Sequence, residues 1–358
     1  MVELTRYGSY LVGNMPGGCV QCTRGEKLVL FVTGLCSRAC YYCPLSPERR
    51  GRDATFANER PVNADSDIIE EARLMDARGT GMTGGDPLHV PQRSIEYLSL
   101  LKSEFGDDHH VHLYTAMDRI ETAILEELYS GGLDELRFHA SRSHQAVIRR
   151  AGEIGLNVGV EIPSLPDRLE EMKAIALMAD RCGCGFMNIN ELEMCATTAD
   201  AFRERGLRLV DDESMAVEGS LEVAVKVAEF CENETSLNVH VCPSSLKDRF
   251  QLRNRLGRIA ENVRRPYEMI DEDNLLVRAT ITQRSGRSDL SEVARRLRNE
   301  LHLSEEMIVH DHGEESIEAP AWAAKEIVEL VDPDDLEVAL VEEYPSWDRL
   351  RTERRTLN

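Results

Sequence analysis

Residues 36–43 read Cys36-Ser37-Arg38-Ala39-Cys40-Tyr41-Tyr42-Cys43 and place three cysteines at a C-x3-C-x2-C spacing. They directly follow residues 28–32, a short apolar run that predicts a buried strand. The cysteines are therefore expected on the loop leaving the carboxyl end of a strand, where α/β folds place their chemistry. Three thiolates can hold three irons of a [4Fe-4S] cube and leave the fourth iron open. The alternatives are reduced thiols without a metal or a structural zinc site, although zinc knuckles normally combine two C-x2-C or C/H units.

Strand-like and helix-like segments alternate between residues 27 and 245, which is typical of a parallel sheet with crossover helices. The predicted helices are 67–78, 95–102 and 121–129, and the later predicted strands are 110–115, 135–139, 157–162, 186–192 and 237–241. Six such β/α units, followed by a seventh strand, resemble the partial (β/α)6 TIM-like barrel of the radical S-adenosylmethionine superfamily, and this is the fold class that we expect for the region.

The stretch Thr83-Gly84-Gly85-Asp86-Pro87 resembles the "GGE-P" motif of the radical S-adenosylmethionine superfamily, with aspartate in place of glutamate. The cysteine spacing also resembles that superfamily, including the aromatic Tyr42 before the last cysteine. The resemblance implies that Cys36, Cys40 and Cys43 hold a [4Fe-4S] cluster whose open iron is chelated by S-adenosylmethionine. It further implies that one electron cleaves this cofactor to methionine and a 5′-deoxyadenosyl radical, which abstracts hydrogen from a substrate. Backbone groups of the glycine motif would accept hydrogen bonds from the cofactor's ammonium group.

Polar residues at the ends of the later strands complete the predicted cofactor pocket. In the family, groups after the fourth strand contact the ribose and the carboxylate of S-adenosylmethionine, which makes His139 and Ser141 candidates. Glu161 and Asn190 end the next two predicted strands and could reach a ribose hydroxyl or the substrate. His110 and His112 share one face of the strand 110–115, which could border the site or, near a strand start, lie at the surface. They are not predicted to be ligands.

A second cysteine pair, Cys19 and Cys22, has C-x2-C spacing, and Cys242 follows the strand 237–241. Cys242 is expected on the same rim as the first cluster. We hypothesise that these three cysteines hold an auxiliary iron–sulfur cluster or a zinc ion.

The chain has 358 residues, ten cysteines and a formal net charge of −22. No apolar run approaches the roughly 20 residues that span a bilayer, and the amino terminus lacks a signal pattern. These features predict a cytoplasmic protein without membrane contact. The acidic surface indicates a halophilic source, because bound counterions screen its self-repulsion in high salt. An acidic partner-binding surface is the alternative.

The predicted organisation comprises residues 1–26 with the C-x2-C pair, the partial barrel 27–245, a basic helix and linker 246–272, and a domain at 273–350. Residues 247–259 predict an amphipathic helix with Phe250, Leu252, Leu256 and Ile259 facing inward and arginines facing outward. The last region has the β-α-β-β-α-β order of a ferredoxin-like α+β fold and no cysteine.

The whole chain most resembles archaeal proteins described as related to pyruvate formate-lyase-activating enzymes. That relation implies an electron donor such as ferredoxin or flavodoxin, but it does not identify the substrate. One hypothesis is a radical enzyme acting on a metabolite or nucleic acid, with the basic helix as recognition surface. A second is an activating enzyme or modifier acting on a protein or peptide. A third is a non-catalytic iron–sulfur or zinc protein.

Overall fold

The computed structural model describes residues 1–358, with the side chain of Asp248 excepted, and divides into two compact units. The first unit comprises Met1–Asn254 and the second comprises Arg255–Asn358.

The first unit is built on an eleven-stranded sheet in which seven central strands are parallel. The strands are β1 (Glu3–Leu4), β2 (Tyr10–Val12), β3 (Lys27–Thr33), β4 (Phe56–Ala57), β5 (Arg60–Pro61), β6 (Gly79–Gly84), β7 (His110–Thr115), β8 (Glu135–Phe138), β9 (Val158–Ser164), β10 (Phe186–Glu191) and β11 (Asn238–Cys242). Their order is β1-β2-β11-β10-β9-β8-β7-β6-β3-β4-β5. The run from β11 to β3 is parallel throughout, whereas β2 and β4 pair antiparallel at its two ends.

Helices connect these parallel strands as crossovers, namely α2 (Asp65–Leu74), α3 (Pro91–Phe105), α4 (Thr122–Ser130), α5 (Gln145–Ile154), α6 (Leu169–Arg181), α7 (Ala199–Glu204) and α8 (Ser220–Glu234). Helix α1 (Gly17–Thr23) precedes the first parallel strand, β3, and the short helix α9 (Ser244–Leu246) follows the last one, β11. One cavity is lined by residues of both β3 and β11, so the sheet curves around it. The predicted partial barrel with six β/α units and a seventh strand is confirmed.

The two faces of the sheet have different chemistry because side chains alternate along each strand. On β3, Leu28 and Leu30 are fully buried beneath the helices, whereas Lys27 and Val29 line the cavity. On β7, Val111 and Leu113 are likewise fully buried. Burying one such aliphatic side chain contributes about 1.5–3 kcal/mol, so the outer face holds the sheet together. The inner face is left for polar groups.

The predicted basic amphipathic helix forms as a helical segment with one irregularity. A π-helical stretch, Lys247–Leu252, follows α9 and leads into α10 (Arg253–Val263). Ile259 is buried, as expected, and Phe250 and Leu256 are partly buried. The prediction for Leu252 is wrong, because this side chain is 44% exposed. The wider π turn shifts its direction relative to a regular 3.6-residue helix.

The second unit contains one antiparallel sheet with two helices. Its strands are β12 (Met269–Ile270), β13 (Leu276–Gln283), β14 (Val309–Asp311), β15 (Ser316–Ala319), β16 (Leu336–Glu343) and β17 (Arg351–Thr356), and its helices are α11 (Leu290–Leu301) and α12 (Ala324–Leu330). The order is β14-β15-β13-β16-β17, with β12 also pairing with β13. The predicted β-α-β-β-α-β succession is present, and β17 extends the sheet beyond residue 350.

No helix among the described residues is both long and apolar enough to cross a bilayer.

Candidate active site

A cavity of about 620 Å³ lies within the curve of the first unit's sheet. It extends from the loop after β3 down to α1. Six of the ten cysteines line it, namely Cys19, Cys22, Cys36, Cys40, Cys43 and Cys242. A volume of this size is typical of sites for small molecules and cofactors.

The loop that carries the first three cysteines is closed at its base by backbone contacts. Gly34 N donates to Arg52 O at 2.8 Å, and Gly51 N donates to Gly34 O at 2.8 Å. A Cβ on Gly34 would lie 1.8 Å from Arg49 O, so only glycine permits this closure. The loop therefore leaves β3 and returns to the same point, with its cysteines at the cavity.

An ion pair fixes the end of this loop. Thr33 Oγ1 donates to Asp53 at 2.9 Å, and the Arg93 guanidinium contacts both oxygens of that carboxylate. Hydrogen bonds from Arg93 lower the pKa of Asp53, so the pair stays charged near neutral pH. Arg93 lies on α3, which ties the cysteine loop to the neighbouring crossover.

The glycine motif at the end of β6 is fastened directly to the start of the cysteine loop. Gly85 N donates to Thr33 O at 2.7 Å, and Asp86 N donates to Leu35 O at 2.8 Å. A Cβ on Gly84 would lie 2.3 Å from Thr33 O, and Gly84 has a φ of +145°. Close backbone packing therefore explains these glycines, in addition to the access that a ligand would need. Thr83, Gly84 and Gly85 line the cavity.

The three thiols do not form a compact site for a single metal ion. Zinc–sulfur bonds of about 2.3 Å imply sulfur atoms about 3.8 Å apart in a tetrahedral site. Among the described side chains, no cysteine belongs to a group of three or more ligand atoms that all lie within 4.8 Å. Burial raises the pKa of Cys36, although the backbone N–H of Arg38 donates to its Sγ at 3.4 Å. The positions of these thiols therefore do not match a single tetrahedral zinc ion.

Two of the predicted cofactor residues lie outside the cavity lining. The Asp86 carboxylate is 1% exposed and accepts hydrogen bonds from Leu88 N, Thr115 Oγ1 and Ala116 N. Its side chain thus stabilises the turn after β6 and joins it to the end of β7. Ser141 begins the short helical turn after β8, where its Oγ lies 3.1 Å from His144 Nδ1.

Tyr42 and His139 form a pair on the cavity wall. The Tyr42 hydroxyl lies 2.9 Å from His139 Nε2, and both residues line the cavity. Burial lowers the pKa of His139 to about 4, so the imidazole is neutral at pH 7. The aromatic residue of the cysteine motif is thereby positioned by the end of β8.

Glu161 and Asn190 also line the cavity and bond to each other. Asn190 Nδ2 donates to Glu161 at 2.9 Å, and Arg137 Nη1 donates to the other carboxylate oxygen at 2.8 Å. Burial alone would raise the pKa of Glu161, but Arg137 and Asn190 outweigh it and lower the pKa. The carboxylate is therefore an ionised acceptor on the inner wall.

Cys19, Cys22 and Cys242 lie in the deeper part of the same cavity. Cys19 Sγ is 3.5 Å from Asn188 Oδ1 and 3.6 Å from Arg137 Nη1. Gln251 Nε2 lies 3.9 Å from Cys242 Sγ. Burial raises the pKa of Cys19 to about 12 and also raises the pKa of Cys242. As free thiols both are protonated, and a metal ion would have to displace those protons.

Lys27 is a cavity residue that the sequence analysis did not single out. Its side chain lines the cavity, and among the described residues it makes no hydrogen bond or ion pair. The other four cationic side chains that line the cavity all have partners. Arg137 pairs with Glu161 and Lys247 with Glu193, whereas Arg38 and Arg50 donate to backbone carbonyls. Lys27 is the first residue of β3. Side chains two residues apart on a strand share a face, so the only indication in the sequence that Lys27 faces the cavity was its spacing from Val29.

The interpretation of the β7 histidines as surface residues is wrong. His112 is fully buried, and the side chain of His110 is only 15% exposed. Helix α1 covers them, with Gly17 and Gly18 packed against the two rings. A helix over residues 17–23 was not predicted, because two glycines at its start give it low intrinsic propensity.

Comparison with known proteins gives one near-complete match and one domain match. A protein of Methanocaldococcus jannaschii, provisionally named a glycyl-radical enzyme activating enzyme, is 37% identical over 368 aligned positions. The match covers 98% of this chain and 95% of the relative. A family described as "Domain of unknown function (DUF8061)" matches residues 275–357.

Similar solved structures are more distant. SuiB of Streptococcus suis bound to S-adenosylmethionine is 10% identical, with a TM-score of 0.44, 60% of this chain covered and 50% of that chain. Coproporphyrinogen III oxidase of Escherichia coli, described as a radical SAM enzyme, is 13% identical with a TM-score of 0.37. There the match covers 62% of this chain and 56% of that chain. This chain thus spans about half the length of each, and likeness at this level carries no conclusion about activity.

Proposed function

Because this chain belongs to the radical S-adenosylmethionine family, we propose that its cavity binds a [4Fe-4S] cluster and S-adenosylmethionine for hydrogen abstraction from a substrate. The observation that carries this proposal is the fastening of the cysteine loop to the glycine motif. Gly85 N and Asp86 N donate to Thr33 O and Leu35 O, so three thiols and a glycine-rich strand end share one rim.

The cluster would be held by Cys36, Cys40 and Cys43, which leaves one iron for the amino and carboxylate groups of S-adenosylmethionine. When bound, the two cofactors supply a one-electron cleavage that yields methionine and a 5′-deoxyadenosyl radical. The protein's contribution is placement and the exclusion of water and surplus reductant. An electron donor such as ferredoxin or flavodoxin is required for this cleavage.

Each wall of the cavity has a separate role in holding S-adenosylmethionine. Backbone groups of Thr83, Gly84 and Gly85 would accept hydrogen bonds from the ammonium. The ionised Glu161 carboxylate and Asn190 suit ribose hydroxyls, and His139 with Tyr42 forms a neutral polar wall. Asp86 acts indirectly by holding the turn, and we assign Ser141 no direct contact with the cofactor.

The substrate would enter the part of the cavity below S-adenosylmethionine. The cavity of about 620 Å³ would have to hold S-adenosylmethionine as well as the substrate. The part of the substrate that enters the cavity would therefore be small and narrow. The Lys27 ammonium makes no hydrogen bond or close ion pair among the described residues, although the charge of Glu161 acts on it from a greater distance. A cation inside a protein is stabilised by a direct acceptor. We therefore assign the substrate an anionic or carbonyl group that contacts Lys27.

Replacing Lys27 with methionine keeps much of the side-chain volume but removes the charge. We expect cleavage of S-adenosylmethionine to persist, while the stimulation of 5′-deoxyadenosine formation by host-cell extract is lost. Lys226→Met is the matched control, since Lys226 lies on α8 at the surface and pairs with Glu222. Stimulation by extract in Lys27→Met equal to that in the wild type would remove the substrate role.

An auxiliary iron–sulfur centre at Cys19, Cys22 and Cys242 is a further part of the proposal. All three thiols face one cavity, and Arg137 provides a nearby positive charge that favours thiolates. Anaerobic reconstitution would then give about eight irons per chain, falling to about four in the double variant Cys19→Ala/Cys22→Ala. About four irons in both proteins would refute the iron–sulfur assignment, and zinc at this site is the alternative.

Activation of a partner protein is the second candidate function, and the name of the M. jannaschii relative favours it. In that case a glycine-containing loop of the partner would supply the slim reacting group. A partner protein that gains an organic radical signal in electron paramagnetic resonance, with one 5′-deoxyadenosine formed per radical, would support activation. Product among small metabolites or RNA would support the alternative, and the nucleic-acid partner predicted from residues 247–265 stays a prediction.

The test of the proposed function is the formation of 5′-deoxyadenosine by the reduced, reconstituted protein. Cys36→Ala, Cys40→Ala and Cys43→Ala should each abolish it, because the cluster loses a ligand. Cys195→Ser is the matched control, since Cys195 lies outside the cavity lining beside Thr197 and Thr198. No product from the wild-type protein, with or without cell extract, would favour a non-catalytic metalloprotein.

A further inference from the structure

Two histidines and one glutamate converge at the amino ends of the parallel strands, opposite to the cysteine loop. His110 and His112 lie on β7, and Glu135 lies beside them on β8, where it pairs in register with His112. One ligand atom from each of the three residues lies within 4.8 Å of the others. His110 Nε2 and Glu135 Oε1 are 3.6 Å apart, near the separation of about 3.3 Å between nitrogen or oxygen ligands of one tetrahedral metal ion.

Both histidines keep a buried nitrogen without a hydrogen-bond partner. The unpartnered atoms are His110 Nε2 and His112 Nδ1, and His112 is fully buried. His112 Nε2 lies 3.2 Å from the Tyr114 hydroxyl, whose oxygen also accepts from Arg137 Nη1 at 3.4 Å. A proton on Nε2 that is donated to this oxygen leaves the lone pair of Nδ1 open. Buried polar atoms without partners are rare in folded proteins, so this pattern requires an explanation.

The two oxygens of Glu135 have different surroundings. Oε2 accepts from the Arg137 guanidinium, whereas Oε1 lies toward His110 and accepts from Gly18 N at 3.3 Å. A carboxylate that binds a metal ion through one oxygen commonly accepts hydrogen bonds from protein groups as well. A histidine that binds a metal ion through one ring nitrogen commonly donates a hydrogen bond from the other. Arg137 would repel a cation, but its charge is also balanced by Glu161 at 2.8 Å.

We propose that His110, His112 and Glu135 form a binding site for one divalent transition-metal ion, zinc by ligand chemistry. Two histidines and one glutamate are an established ligand set for zinc, with water as the usual fourth ligand. Gly17 and Gly18 of α1 lie directly on the two rings, since a Cβ on Gly18 would be 2.5 Å from His112 Nδ1. The ion would therefore sit beneath the helix that carries Cys19 and Cys22 and would stabilise that end of the barrel. This site is independent of the function proposed above.

The test measures zinc in the full-length protein purified with an affinity tag that contains no histidine. After dialysis against a weak chelator, the wild type should retain about one zinc ion per chain. The double variant His110→Ala/His112→Ala and the single variant Glu135→Gln should bind zinc at least about tenfold more weakly. His310→Ala/His312→Ala is the matched control, because these histidines have the same spacing and their rings lie 4.0 Å apart in the second unit.

X-ray absorption at the zinc edge separates this site from the cysteines. We expect a first shell of nitrogen and oxygen at about 2.0–2.1 Å, whereas cysteine ligands would give sulfur at about 2.3 Å. Iron content at the cysteine cluster is measured in parallel and should be unchanged in the variants, which shows that they fold. A sulfur shell, or equal zinc retention in wild type and in His110→Ala/His112→Ala, would overturn the proposal. A wild type that retains no zinc would overturn it as well.

Discussion

At the scale of single residues, Asp86 shows how a motif match and a side-chain role can differ. The resemblance predicts a cofactor contact at this position, but the carboxylate accepts hydrogen bonds from Leu88 N, Ala116 N and Thr115 Oγ1. The adjacent glycines do reach the cavity. A motif therefore identifies a turn more reliably than the direction of each side chain within it.

Removing the Asp86 carboxylate should destabilise the fold. Asp86→Ala leaves two backbone N–H groups unpaired, so we expect the free energy of unfolding in urea to fall by about 1–3 kcal/mol. Asp118→Ala is the control, because Asp118 is exposed in the loop after β7. Unchanged stability together with lost binding of S-adenosylmethionine would instead identify Asp86 as a direct ligand.

Glu343 in the second unit should give that unit a stability that depends on pH. Burial alone would raise its pKa, but hydrogen bonds from Arg278 and Arg349 outweigh burial and lower the pKa. The resulting stabilisation is present above the unfolded value of about 4.5 and is lost as pH falls below it.

Tryptophan fluorescence can follow this loss, because the chain's two tryptophans, Trp322 and Trp347, lie in the second unit. We expect the urea midpoint to fall with pH below about 4.5 in the wild type and to fall less steeply in Glu343→Gln. Glu342→Gln, on the opposite face of β16, should behave as the wild type. Equal slopes in all three proteins would contradict the assigned pKa direction.

At the scale of elements, strands were predicted best where apolar and polar residues alternate. Strand β7 was predicted at its observed bounds, 110–115. Helix α1 was missed because its stability comes from packing on the barrel rather than from its own sequence. The direction of Leu252 was missed because a π turn is not visible in a 3.6-residue pattern. The position of Lys27 in the cavity could not be predicted, because it depends on which residues surround this side chain in space.

Helix α1 can be tested by adding one methyl group to its inner face. A Cβ at Gly18 would lie 2.5 Å from His112 Nδ1 and 2.7 Å from Arg137 Nη2. We expect Gly18→Ala to lower the free energy of unfolding by about 1–3 kcal/mol, the usual cost of overpacking.

Gly152→Ala provides the matched control for this change. A Cβ at Gly152, within α5, meets nothing within 4 Å, so the alanine should raise stability by about 0.5–1 kcal/mol through helix propensity. Both variants are compared by their urea midpoints. A Gly18→Ala protein as stable as the wild type would show that α1 does not pack against β7 as described.

At the scale of the whole molecule, charge dominates the expected behaviour in solution. Acidic residues number 64 and basic residues 42, which gives the net charge of −22. Self-repulsion at this charge weakens the compact state unless salt screens it, and the screening length falls from about 10 Å at 0.1 M to about 3 Å at 1 M. The halophilic source predicted from composition depends on this argument.

We therefore expect the urea midpoint to rise between about 0.1 M and about 1 M potassium chloride. Sucrose at matched osmolality is the control, because it favours burial without screening charge. A midpoint that rises equally in sucrose and in salt would show that charge repulsion does not limit stability.

Only part of the candidate site could be predicted from the sequence. The cysteine spacing and the glycine motif predicted one rim of the cavity, because each motif follows a strand of a parallel sheet. The depth of the cavity, its closure by α1 and the unpartnered Lys27 depend on contacts between residues that are distant in sequence. These contacts, rather than the motifs, determine which substrate fits.

The central claim is that Cys36, Cys40 and Cys43 hold a cluster with one iron open to S-adenosylmethionine. Electron paramagnetic resonance of the reduced, reconstituted protein tests it most directly. We expect the cluster signal to change when S-adenosylmethionine is added to the wild type and to the Cys19→Ala/Cys22→Ala variant. The part of the signal that responds to S-adenosylmethionine should be lost in Cys40→Ala. A wild-type spectrum that is the same with and without S-adenosylmethionine would contradict the account.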